Sequence, residues 1–193
     1  MARPLVALVM GSSSDVAAMN EATDMMDALD IPYEERIISA HRSPKALQEY
    51  VAQLSARQIE VIIAAAGKAA HLPGVIASQT TLPVIGVPMV TSDLGGLDSL
   101  LSIVQMPKGV PVATVAIGAA ANAAVLAAQI LGLKHPAIAE RLRPETRTMQ
   151  NSSRLSATMA RNRIRSASGV RISSAIASTR PVNARIPSSA FRK

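Results

Sequence analysis

Two hydrophobic patterns alternate over roughly the first 135 residues. Leu5–Met10, "LVALVM", is an uninterrupted apolar run and predicts a buried strand. After it, Val16, Met19, Ala22, Met25, Met26 and Leu29 recur at helical spacing. They predict a helix over Asp15–Leu29, with Asp15 or a serine before it as the N-cap. Tyr33–Ile38 predicts a second strand. Pro44–Gln58 predicts a helix capped by Ser43, with Pro44 in the first turn, where its missing N–H costs nothing. Glu60–Ala66, "EVIIAAA", Pro83–Val87 and Ala113–Gly118, "ATVAIG", predict three further strands. Leu72 and Pro73 start the helix that follows the third strand. Ala119–Leu133 predicts a helix of small residues, stopped by Gly132 and Pro136.

Strands that alternate with helices argue for a parallel sheet covered on both faces, and the runs lack the alternation of a half-exposed strand. The expected fold is therefore α/β, a doubly wound three-layer sandwich of about five parallel strands. Ligands of such folds bind beyond the carboxyl ends of the strands. The polar loops lie there: "GSSSD" after the first strand, "SAHRSP" after the second and "GKAAHLPG" after the third.

Composition refines this picture in three ways. Hydrophobic residues make up 49% of the 193 and aromatics only 2%, so the core must be built from Ala, Val, Ile, Leu and Met. Cysteine is absent, which removes disulfides and thiolate metal sites and fits a cytoplasmic location. The start of the chain lacks the pattern of a signal peptide. The longest apolar stretch, Gly118–Leu133, is interrupted by Asn122 and Gln129 and falls short of the ~20 residues of a membrane span. A soluble protein is expected.

The net charge of +7 suggests nucleic-acid binding, but its distribution argues otherwise. Residues 146–193 hold ten Lys plus Arg and no acid, whereas residues 1–145 hold ten basic against 13 acidic residues, a net −3. The basic character thus belongs to a Ser/Arg/Ala-rich tail, and nucleic acid is not an expected partner of the core. The expected organisation is a globular domain over 1–143 and an atypical, disordered tail over 144–193. A shifted reading frame in a GC-rich gene would produce such a tail. A basic extension that binds polyanions is the alternative.

Each loop admits a chemical and a plain reading. In "GSSSD", Gly11 and the small hydroxyl residues Ser12–Ser14 lead into a helix N-terminus, a favourable place for phosphate. Asp15 only accepts hydrogen bonds when ionised, which suits ribose hydroxyls. The plain reading is an ordinary cap with solvated serines. In "SAHRSP", Arg42 offers a planar fork for phosphate and His41 can move protons near neutral pH. The plain reading is a surface turn. His71 in the third loop is either a ligand-facing group or a helix cap, and His135 reads as structural or solvated. The three histidines lie in no metal-binding spacing. No nucleophile elbow, dinucleotide fingerprint or Walker loop is present.

Four motifs taken together, "MGSSSD", "SAHRSP", "AAHLPG" and "DSLLSIVQMPKGVPVATVAIG", resemble the class I PurE family, the N5-carboxyaminoimidazole ribonucleotide mutases of purine biosynthesis. The resemblance spans roughly residues 4–143. It implies a flavodoxin-like fold and a homo-octamer with sites between subunits. It also implies transfer of a carboxylate from the exocyclic amine of an imidazole ribonucleotide to ring carbon 4. That reaction passes through decarboxylation and recarboxylation, without ATP, metal or organic cofactor. By the same resemblance His41 is the proton shuttle, Asp15 meets the ribose, and Ser12 and Arg42 hold the phosphate. Ser39 and the stretch Gly67, Ala69, Ala70, His71 and Leu72 complete the substrate pocket.

The chain also departs from the family. Where the family reads "AGAGGAAHLPG", this chain reads "AAAGKAAHLPG", so Ala65 and Lys68 replace glycines. A left-handed backbone would strain Lys68, and its charge bears on the substrate carboxylate or the carbon dioxide pocket. The rival functions are a carboxylase of aminoimidazole ribonucleotide using free carbon dioxide, and a non-catalytic nucleotide-binding module.

Overall fold

The computed structural model describes residues 3–143. Five parallel strands form one sheet: β1 (Val6–Met10), β2 (Tyr33–Ile37), β3 (Val61–Ala66), β4 (Val84–Pro88) and β5 (Ala113–Thr114). Their order is β2-β1-β3-β4-β5, the flavodoxin-like order. The five helices are α1 (Val16–Ala28), α2 (Pro44–Leu54), α3 (Leu72–Ala77), α4 (Leu97–Val104) and α5 (Ala120–Gly132). A further helical segment covers 136–143.

Successive strand side chains point to opposite faces, and the core divides accordingly. Val6, Leu8 and Met10 of β1 and Val61, Ile63 and Ala65 of β3 pack against α1 and α5. Ala7, Val9, Ile62, Ala64 and Ala66 pack against α2, α3 and α4. The result is the expected three-layer sandwich. α5 presents Ala120, Ala123, Ala124, Ala127 and Ala128 to the core, which lets it lie close to the sheet.

Four expectations are corrected. β2 is a partly exposed edge strand rather than a strand buried on both faces. Its charged residues are satisfied sideways, where the Tyr50 hydroxyl donates to Glu34 (2.7 Å) and Arg57 pairs with the same carboxylate. The fifth strand keeps only Ala113 and Thr114 of the expected six residues, because Gly118 takes a left-handed backbone (φ +70°) and turns the chain into α5. α2 ends at Leu54 rather than Gln58, and Gln58 is itself left-handed (φ +62°). Ser43 stands at the N-cap of α2, yet its side chain makes no capping bond. The expectations for 144–193 lie outside the described residues.

Gly96 shows why α4 starts where it does. It sits at the N-cap with φ +96°, and a Cβ there would approach Ile117 Cγ2 to 2.5 Å and the Met89 carbonyl to 3.0 Å. Only glycine allows the chain to enter the helix so close to β4. α4 lies within "GGLDSLLSIV", where no helix is predicted above, and it buries Ser99 and Ile103.

Candidate active site

A cavity of about 470 Å³ opens at the carboxyl ends of β1, β2, β3 and β4. This is the β1/β3 switch point, where the two halves of a doubly wound sheet part company. The volume falls in the range of small-molecule sites.

The loop after β1 is braced from within. The Ser12 side chain accepts from the Ser14 amide (3.3 Å) and hydroxyl (2.9 Å), and the Ser12 amide donates to Asp15 Oδ2 (3.1 Å). Ser12 and Asp15 thus form a reciprocal capping box around a single 3-10 turn, Ser13–Asp15, that leads into α1. Of the two caps expected, Asp15 or a serine before it, Ser12 caps the 3-10 turn, and Asp15 stands at the N-cap of α1 without a side-chain bond to it. Asp15 is 7% exposed. Burial pushes its carboxyl above the usual carboxylate range, and the bonds from Ser14 and Ser12 offset this only in part.

The loop after β2 is a turn held by Ser39, whose hydroxyl accepts from the Arg42 amide (3.2 Å) while its carbonyl accepts from the Ser43 amide (2.9 Å). This projects His41 and Arg42 into the cavity wall. His41 Nε2 lies 2.8 Å from His71 Nδ1, with the rings edge to face and their centroids 4.9 Å apart. One nitrogen must donate and the other accept, so each ring fixes the tautomer of its neighbour. His71 occupies the N-cap of α3, yet its side chain caps nothing and turns to His41 instead.

The loop after β3 carries Gly67, Lys68 and Ala69 in the cavity wall, followed by His71 and Leu72. Lys68 has φ +58°, the left-handed conformation that glycine favours. Its ammonium lies 2.9 Å from Asp93 Oδ2, on the loop after β4. That pairing holds the lysine above its ordinary range and Asp93 below its own.

Ser12, Asp15, Ser39, His41, Arg42, Gly67, Ala69, His71 and Leu72 thus line one cavity, although they come from three separated stretches of chain. Ala70 does not line it, because its side chain is buried among core residues below the loop. Met89, Val90, Thr91 and Ser92 complete the wall and were not anticipated. They follow the strand predicted over Pro83–Val87, so the carboxyl-end rule already pointed to them. Thr91 is fixed by donating to Asp98 in the first turn of α4 (2.8 Å). Among the described residues no group of three His, Cys, Asp or Glu side chains is placed to hold a metal ion. Nor is any described helix long and apolar enough to cross a membrane.

The sheet order and a polar cavity at its switch point define a flavodoxin-like α/β enzyme. The model of the AIR carboxylase family matches residues 5–152. A Pyrococcus horikoshii N5-carboxyaminoimidazole ribonucleotide mutase is 58% identical over 148 residues, covering 77% of this chain and 84% of that protein. The mutase of the same name from Saccharolobus solfataricus is 55% identical over 148 residues, covering 77% and 94%. That from Pseudomonas aeruginosa is 57% identical over 141 residues, covering 72% and 86%. The crystal structure of Treponema denticola PurE superposes with a TM-score of 0.69 at 27% identity, covering 82% of this chain and 98% of the other. The chain belongs to the AIR carboxylase family.

Proposed function

We propose that this enzyme is an N5-carboxyaminoimidazole ribonucleotide mutase of purine biosynthesis, with His41 as its proton shuttle. The observation that carries the reading is the meeting of His41, Arg42, Ser12 and Asp15 in one cavity of a chain 58% identical to a protein of that name.

The chemistry follows from the substrate. The carbamate N–C bond breaks, its electron pair stays on nitrogen, and nitrogen takes a proton from His41. Carbon dioxide and an electron-rich aminoimidazole remain. Ring carbon 4 then attacks the carbon dioxide, a C–C bond forms, and the carbon 4 proton returns to His41. One imidazole serves as acid and then as base. All atoms of the product come from the substrate. The hydrogen bond between His41 and His71 orients the ring of His41 for both transfers. Arg42 and Ser12 receive the phosphate, where the start of α1 favours an anion. Asp15, already tied to the Ser12 amide, accepts from the ribose hydroxyls. Leu72 and Met89, both buried, give the cavity an apolar floor on which carbon dioxide can rest.

Replacing His41 with Asn tests the assignment, with turnover expected to fall about 10²–10⁴-fold and substrate binding to persist. Loss of binding together with turnover would make His41 a binding residue instead.

The working form is a homo-oligomer, and by family resemblance an octamer. Leu97, Leu101 and Val104 lie on one side of α4 and are 47–50% exposed, continuing a stripe begun by Val90 and Leu94. Such a stripe beside a cavity is the mark of a surface that pairs with another copy. Light scattering of the Leu101→Asp variant should show smaller particles than the parent. A cytoplasmic location fits a cysteine-free biosynthetic enzyme.

A further inference from the structure

We propose that Lys68 is a second anion clamp of the cavity, which leaves Asp93 to bind the carboxylate of the ligand. This rests on the mutase reading of the site.

Three observations converge on it. The first is strain. A lysine with φ +58° stands between Gly67 and Ala69 in a loop otherwise made of small residues. Backbone strain of this kind marks a functional constraint when the side chain reaches a site, and Lys68 lines the cavity.

The second is the nature of its present partner. Lys68 and Asp93 are 69% and 63% exposed at their side chains. An ion pair so open to water is weakly held and easily exchanged. Asp93 is not stranded by the exchange, because it also accepts from the Ser92 hydroxyl (3.2 Å) and faces solvent. The pair spans from the loop after β3 to the loop after β4, two of the four loops that form the wall.

The third is charge placement. The lining holds two permanent cations, Arg42 and Lys68, and one carboxylate, Asp15. Arg42 follows β2 and Lys68 follows β3, on either side of β1 and Asp15. The strands that carry the two cations are therefore two sheet spacings apart, about 10 Å. The two cations thus stand on opposite flanks of the cavity, an arrangement that suits a ligand with a phosphate at one end and a carboxylate at the other. Asp15 between them repels both anions and suits the neutral ribose. Closing ligand over the site removes water and strengthens the lysine–carboxylate contact relative to the exposed pair.

The test compares two ligands on the full chain by calorimetric titration: 4-carboxy-5-aminoimidazole ribonucleotide, and aminoimidazole ribonucleotide, which lacks the carboxylate. Lys68→Gln removes the charge and leaves a shorter neutral side chain, and glutamine tolerates the left-handed backbone, as Gln58 does in this chain. It should weaken the carboxylated ligand about tenfold and leave the decarboxylated one within about twofold. Asp93→Asn frees the lysine and should tighten the carboxylated ligand by about threefold. A strap that merely ties two loops would give both variants the same sign and affect both ligands alike, and that outcome overturns the proposal. Unchanged binding of the carboxylated ligand to Lys68→Gln overturns it too. If the parent chain binds neither ligand, the mutase reading falls and the clamp with it. If it binds both and the variants show no opposite signs, only the clamp falls.

Discussion

Gly86 determines how close α4 lies to the sheet, and replacing it with alanine should be felt both in stability and at the active site. Gly86 sits in β4, paired with Ala64 on one side and Thr114 on the other. A Cβ there would stand 2.4 Å from Ile103 Cγ2 and 2.9 Å from Val112 Cγ1. Carbon atoms prefer about 3.5–4.0 Å, so the first contact is short by more than about 1 Å. Ile103 is fully buried and cannot swing away. Either α4 lifts or the β5 side gives way. Overpacking of this kind costs about 1–3 kcal/mol, and the stiffer unfolded chain of the alanine variant returns about 0.4–1 kcal/mol of that. The net loss is about 1.3 kcal/mol at the centre of these ranges, a fall in Tm of about 3–8 °C for a domain of this size. kcat/KM should fall as well, because α4 holds the loop after β4 through the Thr91–Asp98 bond, and the Gly96 amide donates to Thr91 (3.1 Å). Calorimetry on the four members of the Gly86→Ala, Ile103→Ala cycle measures the effect. Ile103→Ala removes the clashing methyl, so Gly86→Ala should cost at least about 1 kcal/mol less in that background. Equal costs in both backgrounds would refute the packing argument.

Two further predictions concern carboxylates. Burial raises Asp15, so its ionised form costs stability at neutral pH. Asp15→Asn should raise Tm at pH 7, with the gain vanishing below the ordinary Asp value, 3.8, where the carboxyl is protonated folded or unfolded. The same change should weaken ribonucleotide binding about tenfold, and thermal melts across pH 3–7 with parallel titrations check both. Glu60 behaves oppositely. Burial alone would raise it, but bonds from Lys134 (2.8 Å) and His135 (3.0 Å) outweigh burial and hold it below 4.5. Its contribution is present above pH 4.5 and lost as pH falls through the lowered value. Glu60→Gln should therefore lower Tm at pH 7 by about 2–4 °C and make no difference in strong acid, as a melt series from pH 7 to 2 would show.

Much of this molecule was legible in its sequence, for identifiable reasons. Buried parallel strands write themselves as apolar runs, so β1, β3 and β4 stood out, and α1 followed from helical spacing. β2 was found but misplaced in environment, because Glu34 is satisfied by Tyr50 on α2 and by Arg57 just after it, contacts between segments 16 and 23 residues apart. β5 was overextended, since "ATVAIG" is apolar enough for a strand while only Ala113 and Thr114 pair in ladder register with β4, and Val115 and Gly118 donate to it outside the ladder. The site was readable from three loops because each follows a strand and carries side chains with distinct chemistry. Its fourth wall, Met89–Ser92, carries no histidine or arginine to draw notice. Two facts are purely three-dimensional: the His41–His71 bond joins residues 30 apart in the chain, and the Lys68–Asp93 pair joins two loops. Nor does the sequence tell that Lys68 adopts a left-handed backbone (φ +58°).

The most direct test follows the carboxylate itself. N5-carboxyaminoimidazole ribonucleotide labelled with carbon-13 in its carbamate would be given to the full chain in unlabelled bicarbonate, and the product read by NMR. The account predicts 4-carboxy-5-aminoimidazole ribonucleotide carrying the label, formed without ATP and lost in the His41→Asn variant. Product formed only from aminoimidazole ribonucleotide and bicarbonate, or carrying no label, would contradict it.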